Sequence, residues 1–418
     1  MTNVAYQSRY GSSFKVYYPD FPSFRISPEN VKITQEFGMQ DVVEITYTRF
    51  STFHMKALKT GTPVQINFSN DKLKSVWVGY VYDVYKNNAP SLKRPLVVRC
   101  TNTGLSLKEG GSKIWTNKSA TDVVIEIAQK FKLKSNVIPH KTIYTQISLS
   151  GQTYWEKLQE LAAKIGYVAH IFGTELFFLP MDKMIDKFMT SVPFLKYIED
   201  DAEPYTKIKD QTLDVFRAKL GDYTDTQQNT KRKKIVNGID PITAKFYSVT
   251  SSPSTVGKNI RKNVSEPLFT QIASTAVSGN KQTAQVAADA QAQLSRFVHT
   301  ATGMAQGDPR IAPYGTVQID GTGQDTDGYW VIKKVIHFLT HDGRYTSEFT
   351  CMSDGRGLNK PSATRSPYSG YIPQRNIISE LSSSKPSKPN KSYISSSTII
   401  VNANNTGFKV GFRRWVGD

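Results

Sequence analysis

The chain carries the same short sequence pattern at two distant places. Residues 61–66 read Gly-Thr-Pro-Val-Gln-Ile and residues 315–319 read Gly-Thr-Val-Gln-Ile. Each is followed by a strand-like run that holds a tryptophan, and then by a cysteine four residues before a glycine: Trp77, Cys100 and Gly104 in the first copy, and Trp330, Cys351 and Gly355 in the second. The tryptophan and the cysteine are 23 residues apart in one copy and 21 in the other. Such repetition predicts two copies of one β-rich domain with these residues at matching places.

Bulk composition limits the class of protein. A chain of 418 residues has room for roughly two to four domains, because domains most often contain ~100 to 150 residues. No apolar run approaches the ~20 residues of a membrane span, and the polar residues 1–9 lack the apolar core of a signal peptide. We therefore expect a protein that is made in a cytoplasm and stays there, or leaves by lysis or within a larger particle.

The chain is strongly basic, with 53 Lys and Arg against 35 Asp and Glu and a formal net charge of +18. Such an excess can attract nucleic acid or other polyanions. The charge is spread along the sequence, however, and forms one dense run at residues 231–234. That run is equally compatible with a solvated loop and with a polyanion site.

The first hundred residues are typical of strands, because β-branched and aromatic residues alternate with polar ones between turn signals. The runs are residues 24–26, 31–33, 42–47, 64–68, 76–85 and 96–100. They predict a small antiparallel barrel or sandwich.

The pattern changes near Ser119. Ser119 followed by Asp122 predicts the start of an amphipathic helix, and Thr153 with Glu156 forms a capping box that predicts a second one, ending at Gly166. Residues 167–179 then predict a hairpin around a Gly-Thr turn. Residues 106–203 are therefore predicted to be an α+β insert.

A second β-rich part follows. Residues 212–220 and 242–250 are strand candidates, and an Ala- and Gln-rich stretch predicts a long helix over residues 282–301 that stops at Gly303. One face of this helix would hold Val286, Ala290, Leu294, Phe297 and Ala301. The second copy of the β pattern then runs over residues 314–351.

After Gly355 the composition becomes rich in Ser, Pro, Lys and Asn, and residues 379–397 are typical of a flexible segment. Apolar residues return at 398–401 and 408–415, which favours ordering by a partner. The predicted fold class is thus mainly β with an α+β insert. Its parts are a first β-barrel domain (1–105), the insert (106–203), a second β-barrel domain with the long helix (204–355), and a linker with an extended C-terminal segment (356–418).

Residues with catalytic or metal-binding potential form no recognisable constellation. His337 and His341 are four residues apart, the spacing of zinc ligands on a helix, but here they lie in or beside an alternating strand and no Cys, Asp or Glu joins them at ligand spacing. That strand would place Trp330, Ile332, Lys334, Ile336 and Phe338 on one side. Both cysteines lie in strand-like runs, where a buried free thiol is expected and no reactive nucleophile.

Sequence motifs for phosphate or dinucleotide binding and for serine hydrolases are absent. Glu156 and Glu160 flank the apolar stripe of the second helix, where capping and solvation explain them. The prediction is no catalytic residue, no cofactor-binding residue, no metal ligand and no small-molecule substrate.

Two other functions stay open. Paired carboxylates can meet in space without a sequence signature, so a cell-wall hydrolase is the enzymatic alternative. Tyr80 and Tyr82 lie near basic residues and could stack bases of single-stranded nucleic acid. The simpler interpretation is an alternating strand with Tyr80, Tyr82 and Val84 on one face.

Three stretches resemble the phage tail baseplate hub family, which includes the myophage hub, the late control protein D family and the N-terminal hub region of type VI secretion spike proteins. Residues 153–180 are similar to the family's helix and a hairpin that ends in Phe-x-Pro, and residues 235–243 resemble its Val-x-Gly-x-Asp-Pro-x-Thr turn. Its closing barrel motif is matched by Gly307, Asp308, Pro309, Pro313, Gly315, Val317, Gln318, Ile319, Gly328, Tyr329, Val335, His337, Gly343, Arg344, Tyr345, Thr346 and Phe349.

This resemblance covers most of residues 1–355 and implies a homotrimer in a phage virion. Each chain would contribute two tube-like barrels, so that three chains offer six similar domains to a hexameric tail tube. A threefold spike, tip or fibre would bind on the other side, and tape measure protein and DNA would pass through the channel. No Val- and Gly-rich needle repeats follow residue 355, so a separate spike protein or a fibre is expected to take that role.

Overall fold

The structure is a computed structural model. It describes residues 12–21, 26–70, 73–86, 95–188, 192–198, 211–220, 234–239, 244–251, 271–272, 281–294, 297, 299–355, 358, 398–403 and 406–411. The basic run at residues 231–233, the serine-rich residues 379–397 and part of the first predicted strand lie outside the described residues.

Strands dominate the described chain. The N-terminal strands are β1 (Ser13–Tyr17), β2 (Asn30–Glu36), β3 (Val42–Tyr47), β4 (Pro63–Ser69), β5 (Lys74–Lys86) and β6 (Leu96–Asn102). The middle strands are β7 (Gly110–Ser119), β8 (Lys134–Val137), β9 (Ile143–Thr153), β10 (Tyr167–Phe172), β11 (Glu175–Pro180), β12 (Phe194–Lys196), β13 (Leu213–Lys219), β14 (Lys234–Ile239), β15 (Phe246–Thr250) and β16 (Gln271–Ile272). The last are β17 (His299–Gln306), β18 (Thr316–Asp320), β19 (Gly328–Thr340), β20 (Tyr345–Ser353), β21 (Thr398–Ala403) and β22 (Thr406–Gly411).

Five α-helices and one 3-10 helix accompany the described strands. They are α1 (Thr52–Ala57), the 3-10 helix Thr103–Lys108, α2 (Ala120–Lys130), α3 (Tyr154–Ile165), α4 (Met181–Phe188) and α5 (Lys281–Leu294).

One 12-stranded sheet contains both sequence repeats. Its strand order is β1-β4-β5-β6-β3-β2-β19-β20-β17-β13, with β18 and then β12 added beside the start of β19. The prediction of a mainly β, mostly antiparallel chain is confirmed. Within the described residues the sheets stay open, with β1 and β13 at the ends of the long path, where closed barrels were predicted.

Each repeat has its own hydrophobic core on one face of this sheet. Alternate residues of the strands point to that face, so Val31 and Ile33 of β2 are buried while Lys32 is only partly covered. Trp330, Ile332 and Phe349 lie in the core of the second repeat.

The predicted helix starts are confirmed. The Ser119 and Thr153 side chains accept hydrogen bonds from the backbone N–H groups of Asp122 and Glu156, and both carboxylates return bonds to the cap residue. Gly166 ends α3 with φ of 73°, a left-handed conformation that glycine adopts at little cost. The hairpin is also confirmed, with Tyr167 opposite Pro180 and Phe172 opposite Glu175.

Replacing Thr153 by Ala removes the side-chain oxygen that caps the first turn of α3. We expect Thr153→Ala to lower the free energy of unfolding by about 1 kcal/mol, with a smaller loss for Thr153→Ser. Urea unfolding followed by circular dichroism checks this. Equal losses for the Ser and Ala variants would contradict the capping role.

The described insert packs against the second repeat rather than standing apart. Met184 and Ile185 of α4 share a buried cluster with Tyr329 and Val331 of β19. The ring of Phe188 in α4 lies 6.0 Å from that of Tyr314, which precedes β18. Tyr314 in turn stacks on Phe37, which follows β2, with ring centroids 4.0 Å apart and planes 10° apart. The insert is thereby fixed next to the point where the two repeats meet.

The long helix is shorter than predicted. α5 ends at Leu294, and the predicted helical residue Ala301 lies in β17. The alanines of this stretch are typical of a helix, but Ala301 and Ala305 alternate with more exposed residues along β17 and face the core of the second repeat. Gly303, predicted as a helix stop, lies in β17 instead. The Phe349 ring explains the glycine, because a Cβ there would lie 2.4 Å from that ring.

Candidate assembly surface

The two repeats correspond strand for strand. In the first, the order across the sheet is β1-β4-β5-β6-β3-β2, and in the second it is β12-β18-β19-β20-β17-β13. The corresponding strands also follow one another in the same order along the chain. The outermost strands differ in direction, since β1 runs antiparallel to β4 and β12 runs parallel to β18. The second sheet begins at β12, before the predicted domain start at residue 204.

The repeated sequence motif occupies equivalent places in the pairing. Cys100 lies opposite Val81 and Val43, and Cys351 lies opposite Ile332 and Ala301. Counting back from these pairs aligns Val64, Gln65 and Ile66 with Val317, Gln318 and Ile319. Both thiols are buried, and burial raises the pKa of each above its ordinary value. They are core residues of matching strands, as predicted.

The two tryptophans are not equivalent. Trp77 lies opposite Ile66 with Gly79 opposite Val64, whereas Trp330 lies opposite Val317 with Gly328 opposite Ile319. Tryptophan and glycine have thus exchanged places between the repeats, which explains the two-residue difference in spacing to the cysteine. Gly79 leaves room for the Trp77 ring, because a Cβ at Gly79 would lie 2.5 Å from that ring.

A β-bulge interrupts the long middle strand of each repeat at the same place. In β5 it falls at Tyr82, and in β19 at Lys333. A bulge inserts one extra residue and reverses the side on which later side chains emerge. The predictions that Val84 shares a face with Tyr80 and that Lys334, Ile336 and Phe338 share one with Trp330 are therefore wrong. Val84 and Val335 pack on the core side instead.

The bulge lets β19 serve two partners. Its first half pairs with β18, and its second half pairs with β2 of the first repeat, with Ile33 opposite His337. Leu339 and Tyr345 of the second repeat belong to the buried cluster of the first. This junction is a continuous sheet with a shared core, and Lys334 and Glu36 form an ion pair across it at 3.2 Å.

His337 lies inside this junction. Its Nδ1 is 3.0 Å from the Ser347 Oγ and 3.0 Å from the Tyr345 hydroxyl, and burial lowers the pKa of His337 to about 4. His341 lies in the turn after β19, where its backbone N–H donates to the Glu29 carbonyl at 2.8 Å. Within the described ranges no three His, Cys, Asp or Glu side chains are grouped as a metal site would need.

A buried carboxylate ties the strands of the first repeat together. The same Asp41 oxygen accepts from Gln35 Nε2 and from Trp77 Nε1, each at 3.0 Å. Burial is the largest influence and raises the pKa of Asp41 to about 6, although both hydrogen bonds lower it. Gln35 is the residue opposite Val335 in the junction, so the network buttresses the contact between the repeats.

The glutamates that sequence analysis singled out have structural roles. Glu156 caps α3, and Glu160 forms ion pairs with Lys157 at 2.8 Å and Lys164 at 2.6 Å. Burial is the largest single influence and raises the pKa of Glu160, but the hydrogen bonds and charges of the two lysines together outweigh it and lower the pKa. None of the described helices is long and apolar enough to span a membrane.

Two strand edges lack the partner that their equivalents have. Past Tyr80, β5 pairs among the described strands only with β6, while the same part of β19 also pairs with β2. In the second repeat, β13 corresponds to β2, but of the strands that the structure describes it pairs only with β17. These edges could not be predicted from the sequence, because a pattern of alternation does not show which strands pair.

No protein-family model and no curated protein matches the sequence. Solved structures do match. The tail protein from Neisseria meningitidis MC58 aligns over 85% of this chain and 99% of its own, with a TM-score of 0.57 and 13% identity. The 43 kDa tail protein of prophage MuSo2 from Shewanella oneidensis aligns over 83% and 99%, with a TM-score of 0.53 and 13% identity.

A chain of the Francisella PdpA–VgrG complex is similar over 87% of this chain and 61% of its own, with a TM-score of 0.51 and 10% identity. At these identities the likeness concerns the fold. The chain thus shares the fold of phage tail proteins, which confirms the predicted resemblance to the tail hub family at the level of the fold.

Proposed function

We propose that the chain is a structural hub of a phage tail tip or baseplate, or of a related injection machine. In this role it is a homotrimer that joins a hexameric tail tube to a threefold spike, tip or fibre. It has no catalytic activity of its own and resides in the virion, in the tail. Tape measure protein and DNA would pass through the channel that the trimer encloses.

One observation carries the proposal: the same order of six strands occurs twice in the chain, with a difference in direction only at the outermost strand. Continuous pairing of β2 with β19 joins the two copies. A chain with two equivalent sheets offers a sixfold tube two similar docking surfaces. Three such chains would offer six. The likeness in fold to two tail proteins over almost their whole length supports the same role.

The other parts of the chain would serve the opposite side. In this proposal the predicted domains 1–105 and 204–355, together with β12, form the ring, with barrel-like domains that close only on assembly. The insert (106–203) and the C-terminal segment (356–418) face the spike or fibre. Within that segment β21 and β22 form a hairpin, with Thr398 opposite Gly411.

The purified chain is expected to have three times the mass of one chain, measured by light scattering at the concentrations used for assembly. Antibodies to its C-terminus should label one end of the intact tail in electron micrographs. A strictly monomeric protein that is absent from tail particles would refute the proposed function. A clear zone on a peptidoglycan zymogram would favour a cell-wall hydrolase instead. Affinity for nucleic acid that is retained near physiological salt would favour a nucleic-acid-binding protein.

A further inference from the structure

We infer that β13 of one chain pairs with the second half of β5 of the next chain. This interface would repeat, between chains, the β2–β19 contact that each chain makes internally. It rests on the proposed hub function and specifies which residues would form the ring. The partner is a second copy of this chain.

The correspondence between the repeats supplies the partner. Inside the chain, the first repeat contributes β2 and the second contributes the later half of β19. The equivalent of β2 is β13, and the equivalent of that half of β19 is Asp83–Lys86 of β5. These two edges lie on different repeats, since β5 belongs to the first and β13 to the second, so a second chain can bring them together.

Within the described residues, both edges are less buried than their equivalents in the internal junction. In the internal junction Val31, Ile33 and Val335 are 0% exposed and Gln35 is 8% exposed. Their equivalents Phe216, Ala218, Val84 and Leu220 are only partly buried at the margins of the two cores. Apolar side chains on an open sheet edge favour the addition of another strand. A neighbouring chain would cover them as β2 and β19 cover each other.

The pairing register follows from the same correspondence. Val335 lies opposite Gln35, and Ile336 lies opposite Thr34. Counting along the paired strands from the equivalent residues Cys100 and Cys351 makes Val84 the equivalent of Val335 and Tyr85 that of Ile336. In the same way Leu220 is the equivalent of Gln35 and Lys219 that of Thr34. In the proposed interface Val84 therefore lies opposite Leu220, and Tyr85 opposite Lys219, of the neighbouring chain.

The side chains fit this register. Val84 and Leu220 would bury each other on the core side. On the outer side, Tyr85 already stacks on Arg99, with the guanidinium 4.9 Å from its ring, and Lys219 would approach the same ring. Asp83 is exposed and lies diagonally across from Lys219, within the ~7–8 Å at which opposite charges on neighbouring strands interact.

The contact joins unlike surfaces, since each chain offers β13 at one edge and β5 at the other. Such head-to-tail interfaces produce rings when the rotation closes and filaments when it does not. The trimer of the proposed function requires closure after three chains, with internal and external junctions alternating around the ring.

Disulfide trapping tests the register. Directly opposite residues on antiparallel strands have Cβ atoms ~4.5–5.5 Å apart, close enough for a disulfide after modest adjustment. We expect a Tyr85→Cys, Lys219→Cys double variant to form covalent trimers on mild oxidation. The matched control is Tyr85→Cys with Val215→Cys, because Val215 is exposed on the same face of β13, four residues from Lys219. The native cysteines are buried.

A second pair of variants tests the interface without oxidation. Val84→Glu or Leu220→Lys alone should reduce the solution mass threefold, from trimer to monomer. Both together in one chain should restore the trimer by pairing their charges. Their melting curves at concentrations where wild type is monomeric show whether each variant folds.

The outcomes separate this inference from the proposed function. Trapping at Lys219 but not at Val215, with charge rescue, supports the interface. A wild-type trimer that is trapped only at Val215, or at neither position, overturns the interface and leaves the hub function standing. Both are overturned if the wild-type protein is a monomer that is absent from tails and the Tyr85→Cys, Lys219→Cys variant forms no covalent trimer.

Discussion

Trp330→Ala is expected to lower the free energy of unfolding by about 3 to 5 kcal/mol, the usual cost of removing a fully buried tryptophan. Trp330 is 0% exposed and lies in the core of the second repeat, edge-on to Phe216 at a ring-centroid distance of 5.6 Å. Its Nε1 also donates to the Thr326 carbonyl at 2.8 Å. Guanidinium unfolding followed by tryptophan fluorescence and circular dichroism measures the loss.

Phe338→Ala is the matched control, since Phe338 is an aromatic residue of the same strand but is 40% exposed. Its removal should change stability by about 0.5 kcal/mol or less. If the two variants unfolded at the same denaturant concentration, the burial assigned to Trp330 would be refuted. Because Phe216 belongs to β13, Trp330→Ala should also weaken the proposed trimer, whereas Phe338→Ala should not.

Mild acid is expected to destabilise the fold. Burial lowers the pKa of His170 and of His337 to about 4, and that of His299 likewise to about 4. A histidine with a lowered folded-state pKa favours the unfolded state as pH falls below the ordinary value of ~6.5. From pH 7 to pH 5 we expect each of the two fully buried histidines, His170 and His337, to cost about 1.5 to 2 kcal/mol.

Asp41 acts in the opposite sense. Its pKa is raised to about 6, so the folded state holds the proton at a higher pH than the unfolded chain does. Its contribution to stability therefore grows as pH falls from 7 to 5, by about 1 kcal/mol, and the histidines prevail. Urea unfolding at the two pH values should give a smaller pH-dependent loss for His337→Gln and a larger one for Asp41→Asn. An identical loss in all three proteins would contradict these assignments.

Local features of the fold could be predicted from the sequence because their causes are local. The caps at Ser119 and Thr153, the left-handed Gly166 and the hairpin after it each depend on residues within a few positions of one another. The repeated motif was also sufficient to find two equivalent sheets, since Cys100 and Cys351 mark the same strand.

Other features depend on contacts between distant residues. Nothing near Tyr82 or Lys333 indicates a bulge, because the extra residue is defined only by its partner strand. The alanine-rich stretch around Ala301 is typical of a helix, and the residues that pair with Ala301 in the sheet, Cys351 and Ala218, are far away in sequence. The candidate interface was missed for the same reason: Leu220 and Val84 become notable only when each is compared with its equivalent in the other repeat.

The exchange of tryptophan and glycine shows that the two repeats differ in sequence at equivalent positions, and this difference affects how the chain can evolve. In a ring of six identical subunits every contact is a copy of every other, so one substitution alters all six at once. Two covalently linked sheets relax this constraint, because the internal contact and the contact between chains are encoded by different residues. His337 occupies the position in one junction that Lys86 occupies in the other, and the two joints can therefore be tuned separately.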